Sequence, residues 1–334
     1  MVELSRRAAM AGAAATALMP LAMTAARAAA PLAEKQNASF YRYNVGTHQV
    51  TVVCDGVATV NLADNYSPNA TKDQISKVLA DSHLPTDKIT HTFSPVVVNT
   101  GPYTGPKLVV IDTGLGLAQF EQSKGRTGQF HNNLAAANID RNNVDTVVIS
   151  HFHGDHINGL LAADNKAAFA NAEIMVPAAE WKFWMDDGEM SKGTGNPILE
   201  GNFKNIRRVF DALGRKVTQY EPGKEVAPGI TAVFSPGHTP GHNSFVVASG
   251  SDKVLVQVDI TAGAAFLFVQ NPEWNLASDV DRPLAVQTRK KLYDMAIVEK
   301  MPIQAFHGAF PGLVRVEKAG DGYRWIPTIW NASL

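Results

Sequence analysis

The densest chemistry in this chain lies in Ser150-His151-Phe152-His153-Gly154-Asp155-His156, at the end of a strand-like run over residues 146–150. Side chains alternate along a strand, so His151 and His153 point to one side. Gly154 lets the backbone turn, bringing Asp155 and His156 back toward the same point. Three imidazoles and a carboxylate within six residues are a donor set for borderline divalent metals. One segment cannot close a two-metal site, so further ligands must come from elsewhere in the chain. His238, in Gly237-His238-Thr239-Pro240-Gly241-His242, follows a strand-like run at 231–235. Asp259 closes another at 253–259, where an unpaired buried carboxylate would be costly. His307 follows a third at 302–306. All of these stand at C-terminal strand ends, where ligand sites of α/β proteins gather.

The elements that must hold these residues alternate between strands and helices. Strands are expected at 40–45, 48–54, 57–60, 96–99, 107–112, 146–150 and 173–176, then at 231–235, 244–248, 253–259, 264–269, 302–306 and 323–326. Thr71-Lys72-Asp73-Gln74 is a capping box that opens a short helix reaching about residue 80. Further helices are expected near 128–137, from His156, at 177–185 and at 202–212. A last long helix is capped by Asp281, with Pro283 in its first turn, and runs to residue 299. Gly and Pro between 100 and 106 mark a hairpin. Many strands with interleaved helices imply sheets covered by helices, an α/β layered domain. Residues 107–112 and 253–259 are both apolar runs ending in Asp, a hint of two similar halves meeting at one site.

Composition narrows the partners. Thirty Lys+Arg against 31 Asp+Glu leaves no cationic surplus for nucleic acid. A hydrophobic share of 45% and a mean hydropathy of −0.09 describe a soluble globular protein. The one cysteine, Cys54, excludes an internal disulfide and any metal site built on several thiolates. Residues 1–28 read as an export leader: Arg6-Arg7, an uncharged Ala-rich stretch, then Ala26-Arg27-Ala28 as a cleavage site. The paired arginines resemble a twin-arginine signal, implying a periplasmic or secreted protein with no membrane anchor after processing. Loss of Glu3, Arg6, Arg7 and Arg27 takes the formal charge from −1 to −3. No linker divides residues 29–334, which are expected to form a single domain.

The motifs His151-to-His156, Gly237-to-His242, Asp259 and His307, preceded by Ile111-Asp112-Thr113-Gly114, resemble the metallo-β-lactamase superfamily. Within it the chain looks closest to the methyl parathion hydrolase group, on Val110-to-Gly114, Phe183-Trp184, Arg289-Lys290-Lys291, Phe310-Pro311-Gly312 and Gly322-Tyr323-Arg324. The resemblance implies a four-layer αββα sandwich holding two divalent ions, zinc first among zinc, manganese, cobalt and iron. It assigns His151, His153 and His238 to one ion, Asp155, His156 and His307 to the other, and Asp259 to both. Asp112 and His242 would support those ligands from behind. Trp184, Phe203, Leu267 and Phe310 would line the substrate pocket, with Trp181, Phe183, Phe266, Phe268 and Trp274 as further aromatic candidates. His48, His83, His91 and His131 match no motif and are expected on the surface or in the fold.

Two divalent ions sharing one water lower its pKa enough to supply hydroxide near neutral pH. The expected reaction is therefore hydrolysis, with Asp259 and Asp155 as the catalytic carboxylates. Asp259 and the missing ligand cysteine argue against a true β-lactamase. His153, where flavodiiron relatives carry a carboxylate, argues for hydrolysis over redox chemistry. Two substrate classes remain: phosphotriesters of the methyl parathion kind with aryl esters, placed first, and N-acyl-homoserine lactones, placed second. A small-molecule substrate is expected, and a homodimer is compatible with the family.

Overall fold

In the four-residue strand Leu108–Ile111, Val109 and Ile111 pack one way and Val110 the other. A strand apolar on both faces must be covered on both, and this one is covered by a second sheet and by helices. The computed structural model describes residues 32, 36–102, 105 and 107–334, so the leader expected at 1–28 lies outside the described residues. Residues Ala38–Leu334 make up one compact unit.

Two seven-stranded sheets form the body. In the first, strands β1 (Phe40–Val45), β2 (His48–Val53), β5 (Val96–Asn99), β6 (Leu108–Ile111), β7 (Thr146–Val148), β8 (Glu173–Pro177) and β9 (Thr218–Tyr220) lie side by side in that order. In the second the order is β10 (Glu225–Ala227), β11 (Ile230–Phe234), β12 (Asn243–Ser249), β13 (Asp252–Val258), β14 (Ile303–Ala305), β15 (Leu313–Ala319) and β16 (Gly322–Pro327). A separate hairpin pairs β3 (Gly56–Asn61) with β4 (Lys88–Phe93). Val50, Val98, Val109 and Ile111 meet Ile230, Phe245, Val247 and Val256 between the sheets. On the outer face of the first sheet, Val110 and Val147 pack on Phe130, Phe203 and Phe210 from helices. On the outer face of the second, Leu255 and Ile303 pack on Leu292 and Tyr293 of helix Arg282–Val298. Fully burying one such side chain is worth roughly 1.5–3 kcal/mol. The result is the αββα order of layers, the metallo-β-lactamase fold.

The two halves are related as the repeated strand-to-Asp pattern suggested. Strand β6 is paired in parallel with β7, and β13 in parallel with β14. Asp112 and Asp259 leave the C-terminal ends of β6 and β13, and His151 and His307 follow β7 and β14. Each sheet therefore delivers two functional segments from adjacent parallel strands.

Several boundaries differ from the sequence expectation. Residues 264–269, expected as a strand, form the helix Ala265–Gln270. A six-residue apolar run does not distinguish a buried strand from a buried helix. Here Leu267 and Phe268 fill a cluster with Leu62, Ile75 and Leu79. The helix expected from His156 is one turn, Gly154–Ile157, continued by the 3-10 turn Asn158–Leu160. The helix expected at 202–212 begins earlier, as Pro197–Ala212, because Asn196 caps the amides of Ile198 and Leu199. Strands β4, β9, β10 and β15 add to the expected set.

Candidate metal centre

The loop after β7 folds as its spacing demands. His153 keeps extended backbone and Gly154 starts the helical turn that carries Asp155 and His156. His151, His153 and His238 bring one nitrogen each into a cluster whose ligand atoms lie within 4.8 Å of one another. Asp155, His156, Asp259 and His307 form a second cluster on the same criterion. Asp259 joins the two: Oδ2 lies 3.4 Å from His238 Nε2, 4.0 Å from His151 Nε2 and 3.3 Å from His307 Nε2, while Oδ1 lies 3.4 Å from His156 Nε2. All seven residues named from the sequence stand around one point.

Three of the imidazoles, His156, His238 and His307, are oriented from behind. Asp112 Oδ2 accepts from His156 Nδ1 at 2.8 Å and from Ser150 Oγ at 2.7 Å, and Oδ1 accepts from the Ser150 amide at 2.8 Å. Asp112 holds a left-handed backbone, φ 60°, uncommon for a residue with a side chain and supported here by this network. His238 Nδ1 donates to Asp279 Oδ1 at 2.8 Å, and His307 Nδ1 to the Thr92 carbonyl at 2.8 Å. With Nδ1 protonated, the Nε2 lone pairs of His156, His238 and His307 turn inward, the arrangement a metal ligand requires. His242 acts on the backbone: its Nε2 accepts from the Asp259 amide at 3.1 Å.

Two buried carboxylates fix the loops themselves. Glu180, on helix Ala178–Trp184, accepts from the amides of Phe152 at 3.0 Å and Gly241 at 2.7 Å, and from Trp184 Nε1 at 2.8 Å. It thereby ties the His151–His153 loop to the His238–His242 loop. Asp55 accepts from the Leu115 and Phe130 amides at 2.8 and 2.7 Å, behind Gly114. Gly114 has φ +75°, and a Cβ there would stand 2.5 Å from the Asp55 carboxyl carbon. Asp279, Glu180 and Asp55 carry no motif, and no sequence spacing points to them.

Burial opposes charge on every ligand, and the nearby carboxylates decide the outcome: burial wins at His151 and His153 but loses at His238, which Asp279 and Asp259 hold above its ordinary pKa. Burial, with the charge near His156, pushes His151 well below its ordinary pKa, and burial with His238 takes His153 to about 3. Burial also opposes charge on His156 and His307, but Asp155, Asp259 and, for His156, Asp112 overcome it. His156 is held well above the ordinary range and His307 at about 9. Burial likewise works against Asp155 and Asp259, yet the two histidines keep both well below the usual carboxylate range.

This donor set fits two divalent ions. His153 Nδ1 lies 2.9 Å from His238 Nε2, two nitrogens converging without a shared acceptor. His156 Nε2 and Asp259 Oδ1 are buried without a hydrogen-bond partner, a costly state that coordination relieves. Mixed imidazole and carboxylate donors suit zinc-like cations.

The pocket residues fall out differently. Trp184 is fully buried with its ring 6.3 Å from His153, and Phe203 is fully buried behind it, 4.7 Å from Trp184. Leu267 is fully buried in the cluster with Phe268. Of the four, Phe310 alone is exposed. Among the further aromatic candidates, Phe268 is fully buried, whereas Trp181, Phe183, Phe266 and Trp274 are partly buried. A cavity of about 880 Å³ lies elsewhere, against Lys253 and Pro302 at the opposite ends of β13 and β14 from Asp259 and His307. Of the unassigned histidines, His83 is exposed, His48 and His131 are buried, and His91 lies half-buried on β4.

Comparison with known proteins agrees with this geometry. The Metallo-beta-lactamase superfamily profile matches residues 95–259, which contain six of the seven clustered residues, all but His307. The solved structure of AidC, a dizinc quorum-quenching lactonase in complex with a product, N-hexanoyl-L-homoserine, superposes with a TM-score of 0.78. It is 25% identical and covers 88% of this chain and 98% of its own. The chain belongs to the metallo-beta-lactamase superfamily. Another member, the hydrolase AbOPH, has a TM-score of 0.77 at 26% identity, over 89% of this chain and all of its own. Among curated relatives, an N-acyl homoserine lactonase of Bacillus sp. is 28% identical over 219 residues, 64% of this chain and 75% of that protein. The same enzyme from Bacillus thuringiensis is 28% identical over 171 residues, 49% of this chain and 58% of its own length. With its fold, its seven converging donors and these relatives, this superfamily member is a metal-dependent hydrolase.

Proposed function

We propose that this protein hydrolyses the ring ester of N-acyl-homoserine lactones, using two zinc ions. The observation that carries this reading is the match to AidC over nearly its whole length, a lactonase solved with N-hexanoyl-L-homoserine. The N-acyl homoserine lactonases among the curated relatives support it. Phosphotriester cleavage, placed first by the sequence, moves to second place because the lactonases matched above favour the lactone.

Two divalent ions, when bound, polarise the ester carbonyl and acidify a water for attack. His151, His153 and His238 would hold one, and Asp155, His156 and His307 the other, with Asp259 facing both. The chain's own groups do the rest. The Asp259 carboxylate, fixed through its amide by His242, stays anionic and orients the attacking water. Asp155 has the most exposed side chain of the carboxylate ligands, 21% against 3% for Asp259. It stands at the open side, where it can take up the proton lost by the attacking water and pass it to the departing alkoxide oxygen. Buried Trp184 keeps water from behind His153.

The test is kcat/KM on N-hexanoyl-homoserine lactone against methyl paraoxon, with metal-analysed protein and His151→Ala as control. The reading requires the lactone to be preferred and the control to lose activity. A preference for the phosphotriester overturns the substrate assignment, and an active His151→Ala protein overturns the metal site.

A further inference from the structure

His91 is the one histidine near the metal centre that no ligand or supporting role explains. Along β4 the side chains of Ile89, His91 and Phe93 share a face, since strand residues alternate. Phe93 sets its edge against the His307 ring at 5.4 Å, and His91 stacks on Phe93 at 6.4 Å with the planes 15° apart. Tyr66 closes the row, its ring 6.5 Å from His91 and edge-on to it. His91 is thus one aromatic ring removed from a metal ligand.

Its electrostatic surroundings are those of the centre. The charges that act on it belong to His307, Asp155 and Asp259, and Asp155 is the ligand with an exposed carboxylate. His91 also lies over the loop that follows Asp259. At Gly263 (φ +65°) a Cβ would come 2.4 Å from Tyr66 Oη and 3.3 Å from His91 Cε1, so no side chain can stand between them. Burial first, then His307, takes its pKa down to about 4, which leaves the ring neutral at neutral pH. A neutral imidazole offers one N–H donor and one lone pair. His151, His153, His156, His238, His242 and His307 all spend a ring nitrogen on a neighbour, whereas neither nitrogen of His91 has a hydrogen-bond partner among the described residues.

We propose that His91 is a specificity-determining residue whose imidazole hydrogen-bonds the amide of an N-acyl lactone seated at the metal centre. The assignment rests on the lactonase reading above. In such a substrate the amide nitrogen is attached to the carbon next to the ester carbonyl. With that carbonyl at the metal ligands, the amide nitrogen starts two bonds away and the acyl arm extends outward from there, while His91 stands one ring, Phe93, beyond the ligand His307. A secondary amide carries one donor and one acceptor, the complement of a neutral imidazole. A lactone without the amide leaves these imidazole groups unused.

The experiment measures kcat and KM for metal-loaded full-length protein on N-hexanoyl-homoserine lactone and on γ-butyrolactone, which has the same ring and no amide. His91→Phe keeps the stacking on Phe93 and removes both polar atoms, and His91→Gln restores a donor and an acceptor. The expected result for His91→Phe is a KM for the acylated lactone raised about tenfold, with kcat changed much less. The ratio of kcat/KM between the two lactones then falls about tenfold, and His91→Gln recovers part of it. Equal losses on both lactones, or a ratio within twofold of wild type in both variants, overturn the assignment alone. Wild-type protein inert on N-hexanoyl-homoserine lactone overturns the lactonase reading and this assignment with it.

Discussion

Glu180 is the strongest test of how the centre is held together. One oxygen takes the amide of Gly241, in the loop that carries His238, and the other takes the amide of Phe152, between His151 and His153. The second oxygen also takes the Trp184 indole N–H. Replacing Glu180 by Ala leaves these three buried donors without an acceptor. At about 1–3 kcal/mol each the loss would be large, but removing a buried carboxylate returns part of it. Burial already pushes the Glu180 carboxyl above its ordinary pKa, a sign that its charge is costly there. A net loss of about 3–5 kcal/mol is expected.

Glu180→Gln is the sharper variant because it keeps the volume. Each carboxylate oxygen serves a different loop, so either orientation of the amide turns an NH₂ group against the N–H of one loop. Stability should fall by about 1–3 kcal/mol. Because the displaced loop carries metal ligands, zinc affinity should fall roughly 10–100-fold, the usual effect of losing a group that positions ligands. Urea unfolding followed by tryptophan fluorescence gives the first quantity, and competition with a chromogenic chelator gives the second. A Glu180→Gln protein that loses stability but binds zinc as tightly as wild type would refute the loop-clamp argument.

Asp279→Ala removes the acceptor of His238 Nδ1 and should lower zinc affinity about 10–100-fold, read by the same chelator competition; undiminished affinity would show that Asp279 does not orient His238. Asp55 should govern part of the pH dependence of stability. Burial, offset by the amides of Leu115, Phe130 and Gly128, pushes its carboxyl up to about 7, from an unfolded value near 3.8. The folded state therefore binds this proton more tightly, so the stabilisation is complete below about pH 4 and is lost as pH rises through about 7. Denaturation of wild type and Asp55→Asn across pH 4–8 should show the wild-type protein losing stability relative to the variant as pH rises, and parallel curves would remove Asp55 from the account.

The ligands were legible because each of them is announced locally. His151, His153, Asp155 and His156 share one strand end, and Asp259 and His307 close apolar runs read as strands, which form β13 and β14. An α/β layered domain followed from the alternation of strands and helices, and the four-layer order from the family resemblance; β6, β7 and β13 are apolar on both faces. Helix Ala265–Gln270 was not legible, because its six residues carry no cap that distinguishes it from a strand. Trp184 and Phe203 were legible as aromatic residues beside the site, but not their complete burial, which depends on how helix Pro197–Ala212 closes over them.

The supporting groups were hidden for a different physical reason. A ligand is recognised by its type and its spacing from other ligands, whereas a supporting group needs only to reach a ligand's far side. That place can be filled from any part of the chain, and by any acceptor. Asp279 reaches His238 across 41 residues, and the Thr92 carbonyl reaches His307 across 215. A backbone carbonyl leaves no trace in residue type at all. Asp112 was found because it ends a strand in a recognisable motif; Glu180 and Asp55 sit in ordinary helix and loop sequence and act through backbone amides. His91 belongs with them: what singles it out is not its neighbours in sequence but two free nitrogens beside a metal centre where other histidines are tied. Contacts made from outside the motifs, then, are where members of one fold with the same seven ligands can come to differ in substrate.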